Sequence, residues 1–172
     1  MSVLEVIRER RSVRRYNGDP VPEETLARVL EAARLAPSAK NIQPWKLVVV
    51  RDQATKIGLA KAAFEQTFMS EAGLVVAACG FPDKAYPRQG HYMNSWPIDL
   101  AIAFEHLILQ ATEEGLGTCW IGAFDETAAK AVLGVPADVR VMAMTPLGWP
   151  AESPPSRGRK AMEEIISYDR YR

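Results

Sequence analysis

The arginines are the first residues in this chain whose type and spacing can do chemistry. Arg10, Arg11, Ser12, Arg14 and Arg15 place four guanidinium groups and a hydroxyl within six positions. A guanidinium offers a planar fork of donors that matches a phosphate dianion, and a serine hydroxyl adds a short donor beside it. The same residues also suit a solvated basic helix end that complements the C-terminal helix dipole. A second basic cluster, Arg157, Arg159 and Lys160, lies near the other end of the chain. Spacing alone leaves open whether the two clusters close on one phosphate.

Two further segments carry polar chemistry. Pro37, Ser38, Ala39, Lys40, Asn41, Ile42, Gln43 and Pro44 form a polar connection before an apolar run. Asn and Gln amides there can read a heterocycle edge, offering donors and acceptors together; the alternative is an ordinary helix-to-strand connection. The stretch from Gly115 through Gly117 and Gly122 to Asp125 resembles a dinucleotide fingerprint only superficially. It follows a helix rather than a strand, its glycine spacing is wrong, and no βαβ unit surrounds it, so a Rossmann reading is rejected. Gly122 instead lets a backbone N–H approach a flat ligand closely. No H-E-x-x-H or Walker A motif occurs, and no local Ser-His-Asp or Cys-His arrangement is apparent. Such a shortage of side-chain catalysts fits a protein whose cofactor carries the hard chemistry.

The elements that must position these residues follow from hydrophobic periodicity. The pattern predicts a short helix over Val3 to Arg11 and a turn at Asn17 to Pro20. From Pro22, a helix start leads into Leu26, Val29, Leu30 and Ala33 at helical spacing, ending before Pro37. Trp45 to Val50 and Leu74 to Cys79 read as buried strands, with a helix from Asp52 to about Phe64 between them. Residues 82–94 show no period and read as a long loop. Ser95 is expected to cap a helix running to about Glu114, stopped by Gly115. Its apolar residues point in nearly every direction, so it belongs at the centre of the domain or at a subunit interface. Asp125 caps another short helix, Val139 to Leu147 gives a third strand, and the tail from Pro150 to Lys160 is rich in Pro, Ser and basic residues. Helices alternate with strands, giving an α/β or α+β class in one domain spanning 1–172.

Composition narrows the function classes. Hydrophobic residues at 48% and charged residues at 24% are an ordinary globular balance. Lys+Arg and Asp+Glu are both 21, so the net charge is zero and bulk charge does not support a nucleic-acid-binding face. The long apolar helix carries Asp99, Glu105, His106 and Glu113, which argues against a membrane span. A structural zinc would need Cys79, Cys119, His91 and His106 to converge; buried free thiols in a reducing cytoplasm are the better reading, with no metal.

Three stretches taken together, RERRSVRRYNGDPVPEETLARVLEAARLAPSAKNIQPWKLVVV, IDLAIAFEHLILQATEEGLGTCWIGAFD and SRGRKAMEEII, resemble the nitroreductase family of FMN-dependent NAD(P)H oxidoreductases. The resemblance implies an α+β fold with a central mixed β-sheet flanked by helices, and an intertwined homodimer with a long buried central helix and FMN at the interface. It places Arg10, Ser12, Arg157 and Arg159 at the FMN phosphate, and Arg11 near the phosphate and ribityl chain. Arg14 falls at the N1/O2 edge of the isoalloxazine, where a cation stabilises the anionic reduced flavin. Pro37, Ser38, Asn41 and Gln43 match the loop that reaches the flavin from the partner subunit. Gln66 falls at its pyrimidine or ribityl side, and Gly122 and Ala123 near N5. Many members carry Glu-Gly where this chain has Gly122-Ala123, which leaves the acceptor open. The implied activity is ping-pong transfer from NAD(P)H to a small acceptor such as a nitroaromatic or quinone, by a cytoplasmic enzyme with no assigned side-chain acid or base. A non-enzymatic flavin-binding or sensing protein is the alternative. The chain is short for the family, so only the 82–95 loop, with Tyr86, His91, Tyr92 and Trp96, is available to cover the flavin.

Overall fold

The computed structural model describes residues 1–171. The first helix, α1 (Val3–Glu9), begins with a capping box in which the Ser2 hydroxyl accepts from the Glu5 N–H and the Glu5 carboxylate accepts from the Ser2 N–H. It stops two residues earlier than its pattern predicts, releasing Arg10 and Arg11 from the helix. The second, α2 (Glu23–Arg34), buries Leu26, Val29 and Ala33 at helical spacing. Strand β1 (Trp45–Val50) leads into α3 (Gln53–Ala62), capped by the Asp52 carboxylate accepting from the Thr55 N–H. A four-residue helix, α4 (Phe68–Glu71), precedes β2 (Leu74–Gly80). The long helix α5 (Trp96–Glu113) is followed by a two-residue strand, β3 (Gly117–Thr118). Next come α6 (Glu126–Leu133), capped by Asp125, then β4 (Arg140–Gly148) and the short α7 (Met162–Ile165).

The sheet has the order β1-β2-β4-β3, and all three strand pairings are antiparallel. The parallel component expected of a mixed sheet is confined to one isolated bridge, between Ser12 and Thr118. Strand β2 is buried along its whole length. Its alternate residues therefore feed two different cores. Leu74, Val76 and Ala78 pack with α2 and with Leu100, Phe104, Leu107 and Ala111 of α5. Val75, Ala77 and Cys79 pack on the other face with Leu59 and Ala63 of α3, Met69 of α4 and Ala129 of α6. Both cysteines are buried free thiols.

The expectation that α5 is enclosed on all sides does not hold within one protomer. Leu100, Ala103, Phe104, Leu107, Ile108 and Ala111 are buried, but Ile98 is 38% exposed and Ala101, Ile102 and Leu109 are only half-buried. Ser95 also departs from its expected role. It makes no capping hydrogen bond; its hydroxyl donates to the Asp99 carboxylate instead. Among the described residues, no helix is long and apolar enough to cross a membrane.

Candidate functional site: a carboxylate-free arginine cradle

The segment after α1 is laid along the sheet edge by backbone pairing. The Val13 N–H donates to the Thr118 carbonyl at 2.8 Å, and Ser12 bridges Thr118. Close approach here depends on Gly117, where an added Cβ would stand 3.0 Å from the Val13 side chain. The tail leaving β4 is then zipped onto this same segment. The Asn17 N–H donates to the Trp149 carbonyl at 3.2 Å, Tyr16 bridges Pro150, and the Ala151 N–H donates to the Arg15 carbonyl at 2.9 Å. Glu152 completes the seam by accepting from the Arg14 N–H at 2.6 Å. These contacts deliver the second basic cluster to the first.

Where the two segments face each other lies a cavity of about 330 Å³, lined by Arg10, Arg11, Ser12, Arg14, Pro154, Pro155, Ser156, Arg157 and Arg159. Its arginines contrast with four others on the surface. Arg28, Arg34, Arg51 and Arg140 are paired with Glu114, Glu31, Glu23 and Glu126 at 2.7, 2.6, 2.7 and 2.8 Å. The five arginines of the cavity make no ion pair with a carboxylate among the described residues. Three of them spend donors on backbone carbonyls, Arg14 through a long contact of 3.5 Å to Ser12. Arg11 caps the end of α1 through the carbonyls of Arg8 and Arg10, so part of its guanidinium serves the helix terminus. Arg159 donates to the carbonyls of Arg157 and Gly158, which curls the tail. A donor set of this charge, with two serines and no acid, fits a phosphate dianion.

Beside the cradle, Arg10 and Arg159 also line a second cavity with Ile7, Glu105, Ile108, Thr118 and Trp120. Partial burial pushes the Glu105 carboxyl upward, and Arg10 works against that shift. Burial likewise raises the Cys119 thiol, with Arg14 and a Ser12 hydrogen bond opposing it. Glu105, Trp120, Glu152 and Ser156 were not legible as site neighbours. Each is an ordinary residue on its own element, and only the non-local seam brings it here.

The remaining expected site residues form two other groups. Gln66 donates from Nε2 to the carbonyls of Ala63 and Ala123 at 3.0 and 3.3 Å, which places it against the Gly122-Ala123 turn. Gly122 and Ala123 are exposed, and neither N–H has a partner among the described residues. Pro37, Ser38, Asn41 and Gln43 cluster away from the cradle lining. There the Ser38 hydroxyl accepts from the Gln43 N–H at 2.9 Å and Gln43 Nε2 donates to Asn41 Oδ1 at 2.9 Å. One protomer thus joins Arg10, Arg11, Ser12, Arg14, Arg157 and Arg159, and separately joins Gln66 with Ala123. It does not bring Pro37, Ser38, Asn41 or Gln43 into the cradle.

This fold is that of a known family. The sequence profile described as Nitroreductase family matches residues 7–149, and the chain belongs to that family. It is 35% identical to an NADH dehydrogenase of Thermus thermophilus, over 92% of this chain and 91% of that one. It is 33% identical to a 5,6-dimethylbenzimidazole synthase of Rhodospirillum rubrum, over 85% and 81%. A solved nitroreductase family protein from Clostridium difficile superposes with a TM-score of 0.91 at 30% identity, covering 99% of this chain and all of the other.

Proposed function

We propose that this chain, acting as one domain over 1–172, is a cytoplasmic, homodimeric, FMN-dependent oxidoreductase. It takes electrons from NAD(P)H and passes them to a small organic acceptor, such as a nitroaromatic or quinone, in two ping-pong half-reactions. The observation that carries this reading is the cradle of carboxylate-free arginines assembled from both ends of the chain. FMN, when bound, supplies the hydride and electron chemistry that no side chain here offers.

The chain's own residues have separate tasks. Arg10, Ser12, Arg157 and Arg159 neutralise and orient a phosphate, while Arg11 divides its guanidinium between the cavity and the end of α1. Arg14 sits at the same cavity with its guanidinium exposed, where a cation stabilises negative charge that accumulates on reduction. Gly122 and Ala123 offer two N–H groups on a turn without a bulky side chain, so a flat ring can approach. One Nε2 proton of Gln66 holds that turn through the Ala123 carbonyl and the other goes to the Ala63 carbonyl, so Gln66 offers a ligand its Oε1. Ser38, Asn41 and Gln43, gathered on an exposed loop, serve the site of a second copy beside Pro37. The incompletely covered flank of α5, with Ile98, Ile102 and Leu109, supports that second copy, because exposed apolar stripes of a central helix mark an interface.

The test is an absorption spectrum of the protein supplemented with FMN, taken before and after anaerobic NADH and then NADPH. Retained flavin bands that bleach with either nucleotide support the reading. Retained bands that neither nucleotide bleaches would replace it with a flavin-binding protein, and no flavin uptake would overturn it.

A further inference from the structure

Away from the cradle, the most deeply buried acid joins two exposed loops. Asp99, 3% exposed, lies in the first turn of α5. Its Oδ1 accepts from the Ala39 N–H at 2.9 Å, and its Oδ2 accepts from the Ser95 hydroxyl at 2.6 Å. Ser95 is itself buried, and its N–H donates to the Tyr86 carbonyl at 2.8 Å. One carboxylate therefore grips the 38–43 loop directly and the 86–95 loop through one serine. A cross-contact reinforces the pairing, with Lys40 Nζ lying 5.2 Å from the centre of the Tyr86 ring.

The 38–43 loop is also a place where backbone geometry is costly. Lys40, Asn41 and Gln43 all have positive φ, at 53, 57 and 53°. Asn tolerates that region, but Lys and Gln do not favour it. A conformation of this kind persists only when its surroundings over-determine it. Asp99 supplies one such restraint from outside the loop. On the other loop, Gly90 and His91 also have positive φ, and Tyr92 stands 81% exposed.

We propose that Asp99 is a positioning residue that clamps the 38–43 and 86–95 loops into a single recognition unit for the electron acceptor. The inference rests on the flavoprotein reading above for the reaction that the unit serves. The 38–43 loop carries the amides of Asn41 and Gln43 and the 86–95 loop carries the exposed rings of His91 and Tyr92, side chains suited to a small planar polar acceptor. Asp99 touches none of these four side chains and acts only through the backbones that carry them.

The test compares Asp99→Ala, Asp99→Asn and Ser95→Ala with the unaltered protein. In FMN-free protein, amide exchange in the peptides spanning 36–44 and 84–96 is expected to quicken in D99A. It should return toward the original rate in D99N, because the asparagine oxygen can still accept from Ala39 and its amide can donate to Ser95. In FMN-loaded protein, D99A should lower kcat/KM for a quinone acceptor by about tenfold to a hundredfold, the usual cost of a misplaced reacting face. Measured per bound FMN, D99N should recover most of the loss, with S95A falling between. Unchanged exchange in D99A would overturn the clamp. Faster exchange with unaltered acceptor kinetics would overturn its role in recognition and leave a merely structural carboxylate. Failure of the unaltered protein to take up FMN would instead sink the flavoprotein reading, and the exchange measurement would still decide whether Asp99 joins the loops.

Discussion

Arg140 and Arg159 carry the same guanidinium to two very different ends. At the junction of α6 and β4, Arg140 meets both carboxylate oxygens of Glu126, with Nε and Nη2 each donating at 2.8 Å. The same carboxylate also accepts from the Val141 N–H, so the pair closes a strand start onto a helix. In the cradle, Arg159 finds only carbonyls of its own tail, beside Arg10, Arg14 and Arg157, and none of these guanidinium groups is in ion-pair contact with a carboxylate among the described residues. Arg140 comes with a carboxylate partner in the chain, whereas these five converge without such an ion pair among the described residues. Like charges held together cost free energy unless a ligand offsets them, so an anion bound in the cradle would relieve that cost.

The sharpest way to break this contrast is to remove one arginine from each region. Arg10→Ala or Arg159→Ala should weaken FMN binding about tenfold to a hundredfold, since a charge-assisted hydrogen bond contributes ~1.5–3 kcal/mol. Neither should lower the melting temperature of the FMN-free protein, because no carboxylate loses a partner. Arg140→Ala should do the reverse, leaving FMN affinity alone and costing at most about 1 kcal/mol of stability, as exposed pairs do. Flavin fluorescence titration and thermal melts read both effects; a melting loss in R10A as large as that in R140A would erase the distinction.

A finer test lies within the cradle. Arg14→Ala should shift the midpoint potential of bound FMN downward by about 30 mV, the equivalent of ~1.4 kcal/mol for a two-electron couple. Arg14→Lys should keep most of the original value, because it retains the charge. Spectroelectrochemical titration would show an unmoved potential if Arg14 served only to hold phosphate.

The smallest effect concerns pH. Arg140, helped by the Val141 N–H, holds the Glu126 carboxyl below its ordinary value, and Arg28 with Gln110 does the same for Glu114. A carboxyl lowered on folding adds stability above its unfolded value, about pH 4.5, and that stability is lost as pH falls through the folded value. Melting temperature should therefore drop modestly on acidification through that range. Glu126→Gln should flatten the drop, while R159A should leave it unchanged.

The sequence revealed what depends on neighbours along the chain. Trp45–Val50 appears as a strand with the predicted bounds, and Asp52 and Asp125 cap the helices they precede, because periodicity and caps are local signals. Strand β3 is two residues long, too short to show a period, yet it aligns the Ser12 segment with the sheet. Both basic clusters were visible as phosphate-binding candidates, but their meeting depends on the 12–17 and 149–152 seam, which no local pattern encodes. Ser95 shows the converse failure. A serine before a helix suggests a cap, and only the fold reveals that a buried aspartate four residues on claims its hydroxyl.

The seam has a consequence for synthesis. A ribosome releases Arg10 and Ser12 well before Arg159, with both cores built from the residues between. For most of that time the chain has half a cradle, and a phosphate finds too few donors to stay. In the flavoprotein reading, cofactor capture would thereby be deferred until strand β4 is in place and the tail has folded back, so a loaded molecule would also be a folded one.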